Sequence, residues 1–136
     1  MSRSRDTAQR RAIRQVFEQE DRPLSAAEAH RIAQEICPGL GIATAYRVVN
    51  RMVGEGWLSQ VVVPGGTTFY ELASKAPHHY FLCEACGRLF NTACAPKNVA
   101  ALSPEGFRVA RHDVFLYGRC RYCSYETPHG PAADGV

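Results

Sequence analysis

Phe81-Leu82-Cys83-Glu84-Ala85-Cys86-Gly87-Arg88-Leu89-Phe90 sets two cysteines, two residues apart, between apolar segments that read as strands. A second pair, Cys120-Arg121-Tyr122-Cys123, follows a further apolar run. A Cys-x-x-Cys turn lets both sulfurs point the same way, and Gly87 relieves that turn sterically. Two such turns offer Zn²⁺ four thiolates at about 2.3 Å in a closed tetrahedral site, which would staple the ends of a small sheet. Two disulfides or a redox pair are the competing readings. The chain opens Met-Ser-Arg-Ser-Arg-Asp, without the apolar core of a cleavable signal. That points to the cytoplasm, where structural disulfides are rare. Cys83, Cys86, Cys120 and Cys123 are therefore read as structural zinc ligands. Four thiolates leave no open position for substrate, so hydrolytic zinc chemistry is disfavoured and the chain does not read as an enzyme.

A length of 136 residues suits one domain, or two small ones if a metal stabilises the second. No apolar run approaches the length of a membrane span. The formal charge of +3 is modest for a nucleic-acid binder and does not decide the partner. Its distribution says more: Arg3, Arg5, Arg10, Arg11 and Arg14 crowd the N-terminus against the single acid Asp6. This is either a phosphate-facing arm or a solvated helix face.

From Thr7 to about Glu20, Ala12, Ile13, Val16 and Phe17 recur at helical spacing, and Asp21-Arg22-Pro23 ends that helix. Ser25 with Glu28 forms a capping-box pattern at the start of a second helix, whose buried stripe is Ala29, Ile32, Ala33 and Ile36. A third helix runs from about Ala43 to Glu55 with the stripe Ala45, Val48, Val49 and Met52. Its other face carries Thr44, Tyr46, Arg47, Asn50 and Arg51, donors and acceptors suited to base edges and phosphates. That is helix-turn-helix architecture; a bundle with a polar outer face is the alternative. The alternating segments Ser59 to Val63 and Thr67 to Leu72, joined by Pro64-Gly65-Gly66, add a hairpin and favour a winged helix.

Lys75-Ala76-Pro77 is the composition break. The expected organisation is a winged-helix DNA-binding domain with hinge at 1–75, an α/β dimerisation and metal-binding domain at 76–126, and a disordered tail at 127–136. The fold class is α+β. In the second domain, strands are expected at Tyr80 to Cys83, Arg88 to Asn91 and, as a long third strand, Gly106 to Tyr117, with a short helix around Pro96 to Leu102. A free sheet edge there would pair with a second copy.

Several stretches together resemble the ferric uptake regulator family: Gly41-Ile42-Ala43-Thr44-Ala45-Tyr46-Arg47-Val48-Val49-Asn50, Phe69-Tyr70-Glu71-Leu72, His78-His79, Cys83-Glu84-Ala85-Cys86-Gly87, Arg111-His112 and Leu116-Tyr117-Gly118, with Cys120 and Cys123. The resemblance spans roughly residues 7 to 123. It implies a homodimeric, metal-responsive bacterial repressor whose winged helix binds an AT-rich inverted repeat, with Tyr46 and Arg47 at the bases and Thr44 on the backbone. It also implies that the four paired cysteines hold structural zinc.

The family's sensory sites are matched only in part. One combines a histidine before the second helix, a glutamate ending the wing and a His-x-His pair; here Glu71 and His78 match, Pro23 and Leu24 stand where the first histidine is expected, and Tyr80 replaces the last. Another draws on the His-rich segment, an acid and a late histidine; His112 matches, His79 takes an acid-or-histidine position, and Asn98 lies near the expected acid. Cys94 lies in a segment that often supplies a ligand. The expectation is one altered regulatory site from Glu71, His78, His79 and His112, with Cys94 as a further candidate. Mixed imidazole, carboxylate and thiolate donors favour Zn²⁺ over Fe²⁺ or Mn²⁺. A redox or peroxide sensor and a metal-independent DNA-binding protein are the alternative functions. For the histidines the alternative roles are a hydrogen-bonded core residue at His112 and solvated linker residues at His78 and His79.

Overall fold

The computed structural model describes residues 2–73, 79–92 and 99–126. The chain divides into two compact units, Met1–Ala76 and Pro77–Val136. Three helices and a hairpin build the first: α1 (Ser2–Glu20), α2 (Ala26–Ala33), α3 (Ile42–Gly54), β1 (Leu58–Val62) and β2 (Thr68–Leu72). Helix α1 starts at Ser2, five residues before the expected start at Thr7. It stops at Asp21, whose φ of 56° lies in the left-handed region that aspartate tolerates better than most residues.

The capping box forms as its residue types dictate. Glu28 N–H donates to Ser25 Oγ at 3.1 Å, and Ser25 N–H donates to Glu28 Oε1 at 3.1 Å, so two otherwise orphaned donors are satisfied at the start of α2. Ala26, Ala29 and Ala33 face inward, but Ile36 does not join the stripe and is 41% exposed. The physical reason is that α2 ends at Ala33. The chain then turns through Glu35 N–H to Ile32 O and Ile36 N–H to Ala33 O, which breaks the helical phase three residues before Ile36. His30 Nε2 bonds Leu40 O at 3.0 Å and helps fix the turn into α3, so it is a structural residue.

In α3 the stripe Ala45, Val48, Val49 and Met52 is buried throughout. It packs with Ile13, Val16, Phe17, Leu24, Leu40 and Leu58 into one apolar core. Each large aliphatic or aromatic side chain so buried contributes about 1.5–3 kcal/mol. Strands β1 and β2 pair antiparallel from Leu58↔Leu72 to Val62↔Thr68. Gly66 N–H closes the turn onto Val63 O at 2.9 Å with Gly65 at φ 83°, a conformation that suits glycine after Pro64. Leu24 adds a bridge to Tyr70, with mutual N–H to O bonds of 2.9 and 2.8 Å, so the start of α2 is tied to the wing. This is a winged helix-turn-helix.

The second unit is a three-stranded sheet of order β4-β3-β5, from β3 (His79–Cys83), β4 (Leu89–Asn91) and β5 (Val114–Gly118), followed by α4 (Arg121–Glu126). β4 runs antiparallel to β3 and β5 parallel to it. The long strand expected from Gly106 to Tyr117 is instead five residues, Val114–Gly118. Its partner β3 is only five residues long, and residues 107–113 form no ladder. A parallel partner also requires a crossover connection rather than a tight turn, and that consumes the preceding segment. Of the expected helix at Pro96 to Leu102, Val99 and Ala100 are helical and residues 96–98 lie outside the described residues, as do Lys75 to Pro77 and the tail 127–136. Among the described residues no helix is long and apolar enough to cross a membrane.

Candidate metal centre and nucleic-acid interface

Cys83 closes β3 and Cys86 follows it in a tight turn, where Gly87 N–H donates to Cys83 O at 2.8 Å and Gly87 takes a φ of 78°. A residue with a Cβ is strained at that angle, which is why glycine stands there. Cys120 follows β5 and Cys123 sits in the first turn of α4. Because β5 lies beside β3, with Cys83 opposite Gly118, the two turns meet at one end of the sheet. The ligand atoms of Cys83, Cys86, Cys120 and Cys123 all lie within 4.8 Å of one another.

Those residues fit zinc. Cys86 Sγ and Cys120 Sγ stand 3.9 Å apart, close to the edge of about 3.8 Å that a tetrahedron with bonds of about 2.3 Å requires. That distance is far from a disulfide bond of about 2.05 Å. Cys83 Sγ accepts N–H groups from Cys86 and Cys120, both at 3.4 Å. Burial pushes the Cys83 thiol up, but donation from the Cys120, Cys86 and Ala85 backbone outweighs it and brings the group down to about 6. Burial pushes Cys86 up, and burial together with the neighbouring sulfurs pushes Cys123 up to about 12. Four sulfurs this close cannot all be anionic without a cation to offset their repulsion.

His79 and His112 form a second pair. His79 begins β3 and is buried, and His112 lies just before β5. Their Nε2 atoms are 3.0 Å apart with ring centroids at 4.8 Å, so one imidazole donates to the other. His79 Nδ1 is buried with no hydrogen-bond partner. Two nitrogens at this separation can both lie within the roughly 2.0–2.1 Å that a transition-metal ion needs. Among the described residues no third ligand joins them: the four cysteines are the one group of three or more metal-ligating side chains. Glu71 lies on β2 in the first unit and is buried, while His78 and Cys94 lie outside the described residues. Pro23 and Leu24, in the region where the resemblance leads one to expect a histidine, are fully buried and offer no metal-ligating side chain.

On the first unit, Thr44, Tyr46, Arg47, Asn50 and Arg51 occupy the face of α3 opposite its buried stripe. Tyr46 is 45% exposed, and Arg47 donates through Nη2 to Thr44 Oγ1 at 3.0 Å, one turn back on the same helix. Thr44, Arg47, Val48 and Arg51 line one wall of a cleft of about 260 Å³ whose other wall is Thr7, Gln9 and Arg10 of α1. The α1 wall was visible in the sequence only as an undifferentiated cluster of arginines.

Residues 2–117 match the Ferric uptake regulator family. The Ferric uptake regulation protein of Cupriavidus metallidurans is 30% identical over 129 residues, covering 92% of this chain and 89% of that protein. The Vibrio cholerae ferric uptake regulator is similar in structure, with a TM-score of 0.64 and 27% identity over 82% of this chain and 88% of that one. FurB of M. tuberculosis, a zinc uptake regulator, shows a TM-score of 0.50 and 27% identity over 88% of this chain and 95% of its own.

Proposed function

The chain belongs to the ferric uptake regulator family, and from that premise we propose that it is a metal-dependent, DNA-binding transcriptional repressor that responds to zinc and controls metal homeostasis genes. The observation that carries the DNA reading is the outer face of α3. A helix following a short turn, buried on one side, presents Thr44, Tyr46, Arg47, Asn50 and Arg51 on the other. Arg47 would read a base edge, with Thr44 holding its guanidinium in register and contacting the backbone. The wing tip at Pro64-Gly65-Gly66 would reach the flanking phosphates.

In this reading residues 1–75 grip DNA, residues 76–126 pair two copies, and the homodimer binds an AT-rich palindrome with half-sites about one helical turn apart. Exposed Leu116 and Tyr117 on β5 support self-association through the second unit. Cys83, Cys86, Cys120 and Cys123 would hold structural zinc, and His79 and His112 would be the nucleus of the regulatory site, with Glu71, His78 and Cys94 as further ligands. When bound there, a divalent ion supplies a cross-link and fixed positive charge; Zn²⁺ suits these donors better than Fe²⁺ or Mn²⁺. The protein's own part is a population shift, in which the ligands bind more tightly in the DNA-competent arrangement of the dimer.

The test is to strip the labile ion while retaining structural zinc, then titrate affinity for an AT-rich inverted-repeat duplex against buffered Zn²⁺, Fe²⁺ and Mn²⁺. Zinc acting at the lowest free concentration is expected. Affinity indifferent to every ion would replace this reading with a metal-independent DNA binder. Arg47→Ala should weaken specific binding by about 1–3 kcal/mol in the same assay; unchanged affinity would remove Arg47 from the interface.

A further inference from the structure

Arg10 stands on α1, yet its guanidinium reaches the end of α3 and pairs there with Glu55. Both side chains are close to half exposed. Arg10 also lines the cleft between the two helices, together with Thr7, Gln9, Thr44, Arg47 and Arg51. Three guanidinium groups and two hydroxyls thus surround one opening, and no carboxylate is among its lining residues. Such a setting favours an oxyanion with several acceptor oxygens. Arg47 and Arg51 belong at the same time to the face of α3 that is read above as the base-contacting surface, so a duplex on that face brings its backbone to the cleft.

We propose that this cleft seats a backbone phosphate of the bound DNA on Arg10, and that Glu55 is an internal counter-anion which occupies Arg10 until the phosphate arrives. This rests on the DNA-binding reading and adds to it a contact outside the recognition helix. A guanidinium accepts a carboxylate or a phosphate through the same planar fork, so one can replace the other without a new geometry. An exposed ion pair is held weakly in water, so the exchange costs little. The seat carries no base information; it fixes where the protein stands on the duplex.

The zinc-loaded 136-residue chain should be titrated with an AT-rich inverted-repeat duplex and a GC-rich duplex of equal length between 50 and 200 mM salt. Arg10→Ala should weaken binding to both by the same factor. Its disadvantage should shrink about twelvefold across that salt range, because the homodimer loses one phosphate contact per copy and so releases about two fewer counterions. Glu55→Gln should tighten binding to both duplexes with the salt slope unchanged, and it also shows that loss of the ion pair alone leaves the fold intact. The double variant should behave as Arg10→Ala. Wild-type binding with an Arg10→Ala variant of equal affinity and slope overturns the seat alone. Glu55→Gln weakening the complex would make Glu55 an anchor and overturn the counter-anion role. Wild-type protein that binds neither duplex overturns the DNA-binding reading and the seat with it.

Discussion

The two units are held together by different physics. In the first, Ile13, Val16, Phe17, Leu24, Leu40, Val49, Met52 and Leu58 are all but inaccessible and belong to one apolar cluster. In the second, the buried apolar side chains among the described residues are Tyr80, Cys83, Leu89 and Cys120, and two of those are thiols of the four-cysteine cluster. Tyr80 stacks on Phe115 at 5.5 Å, a modest addition. A winged helix of this size can fold on hydrophobic burial alone, whereas a three-stranded sheet with so few buried side chains needs a staple. The lesson is that the four-sulfur cluster stands where the second unit's own core is thinnest, so that a metal held there would be part of its folding free energy.

The sharpest way to break that contrast is to remove the structural metal. Chelation strong enough to strip zinc, or Cys83→Ser, should unfold the second unit and leave the first folded. Structural zinc sites are worth about 10–16 kcal/mol of apparent free energy near pH 7. Loss of near-ultraviolet signal from Tyr80 and Tyr117 with Trp57 fluorescence unchanged is expected; a second unit that melts at the same temperature with and without metal would dissolve the contrast. Protons should do in part what a chelator does. Because Cys86 and Cys123 are pushed up when no ion is bound, lowering the pH refills those sulfurs with protons and zinc affinity falls, measurable by competition with a chromophoric chelator.

Phe17→Ala tests the other side. Phe17 is buried at the centre of the helical core and meets Trp57 edge to face at 6.5 Å, so truncation should destabilise the first unit by about 3–5 kcal/mol and leave zinc affinity unaltered. Coupled loss of zinc would mean that the two units do not fold independently. A smaller effect belongs to the capping box: Ser25→Ala should cost about 1 kcal/mol, seen as a lower denaturant midpoint for the first unit alone. A cost near zero would shift responsibility for starting α2 to Arg22, which pairs with Glu28 at 3.1 Å.

Most of the first unit was legible in the chain because its signals are local. The stripe of α3, the Ser25–Glu28 cap and the Pro64-Gly65-Gly66 turn each lie within a few residues, and each formed as its residue types require. Ile36 failed because periodicity does not announce where a helix stops. The strand expected from Gly106 failed because a strand's length depends on its partner, and β3 offers only five residues. At the metal centre the four sulfurs were legible as two spaced pairs. The histidines were legible as ligand types, but not as a pair with Nε2 atoms in contact.

What the sequence determined by itself, then, is every feature whose cause lies within one or two turns of chain: helical phase, caps, tight turns and the two Cys-x-x-Cys knuckles. Tertiary structure alone decided that β5 lies parallel to β3, that His79 meets His112 across 33 positions, and that Arg10 reaches Glu55 across 45. The physical reason is that such contacts close long loops, whose entropy is recovered only when the whole sheet or helical core assembles. No short stretch of residues carries that information.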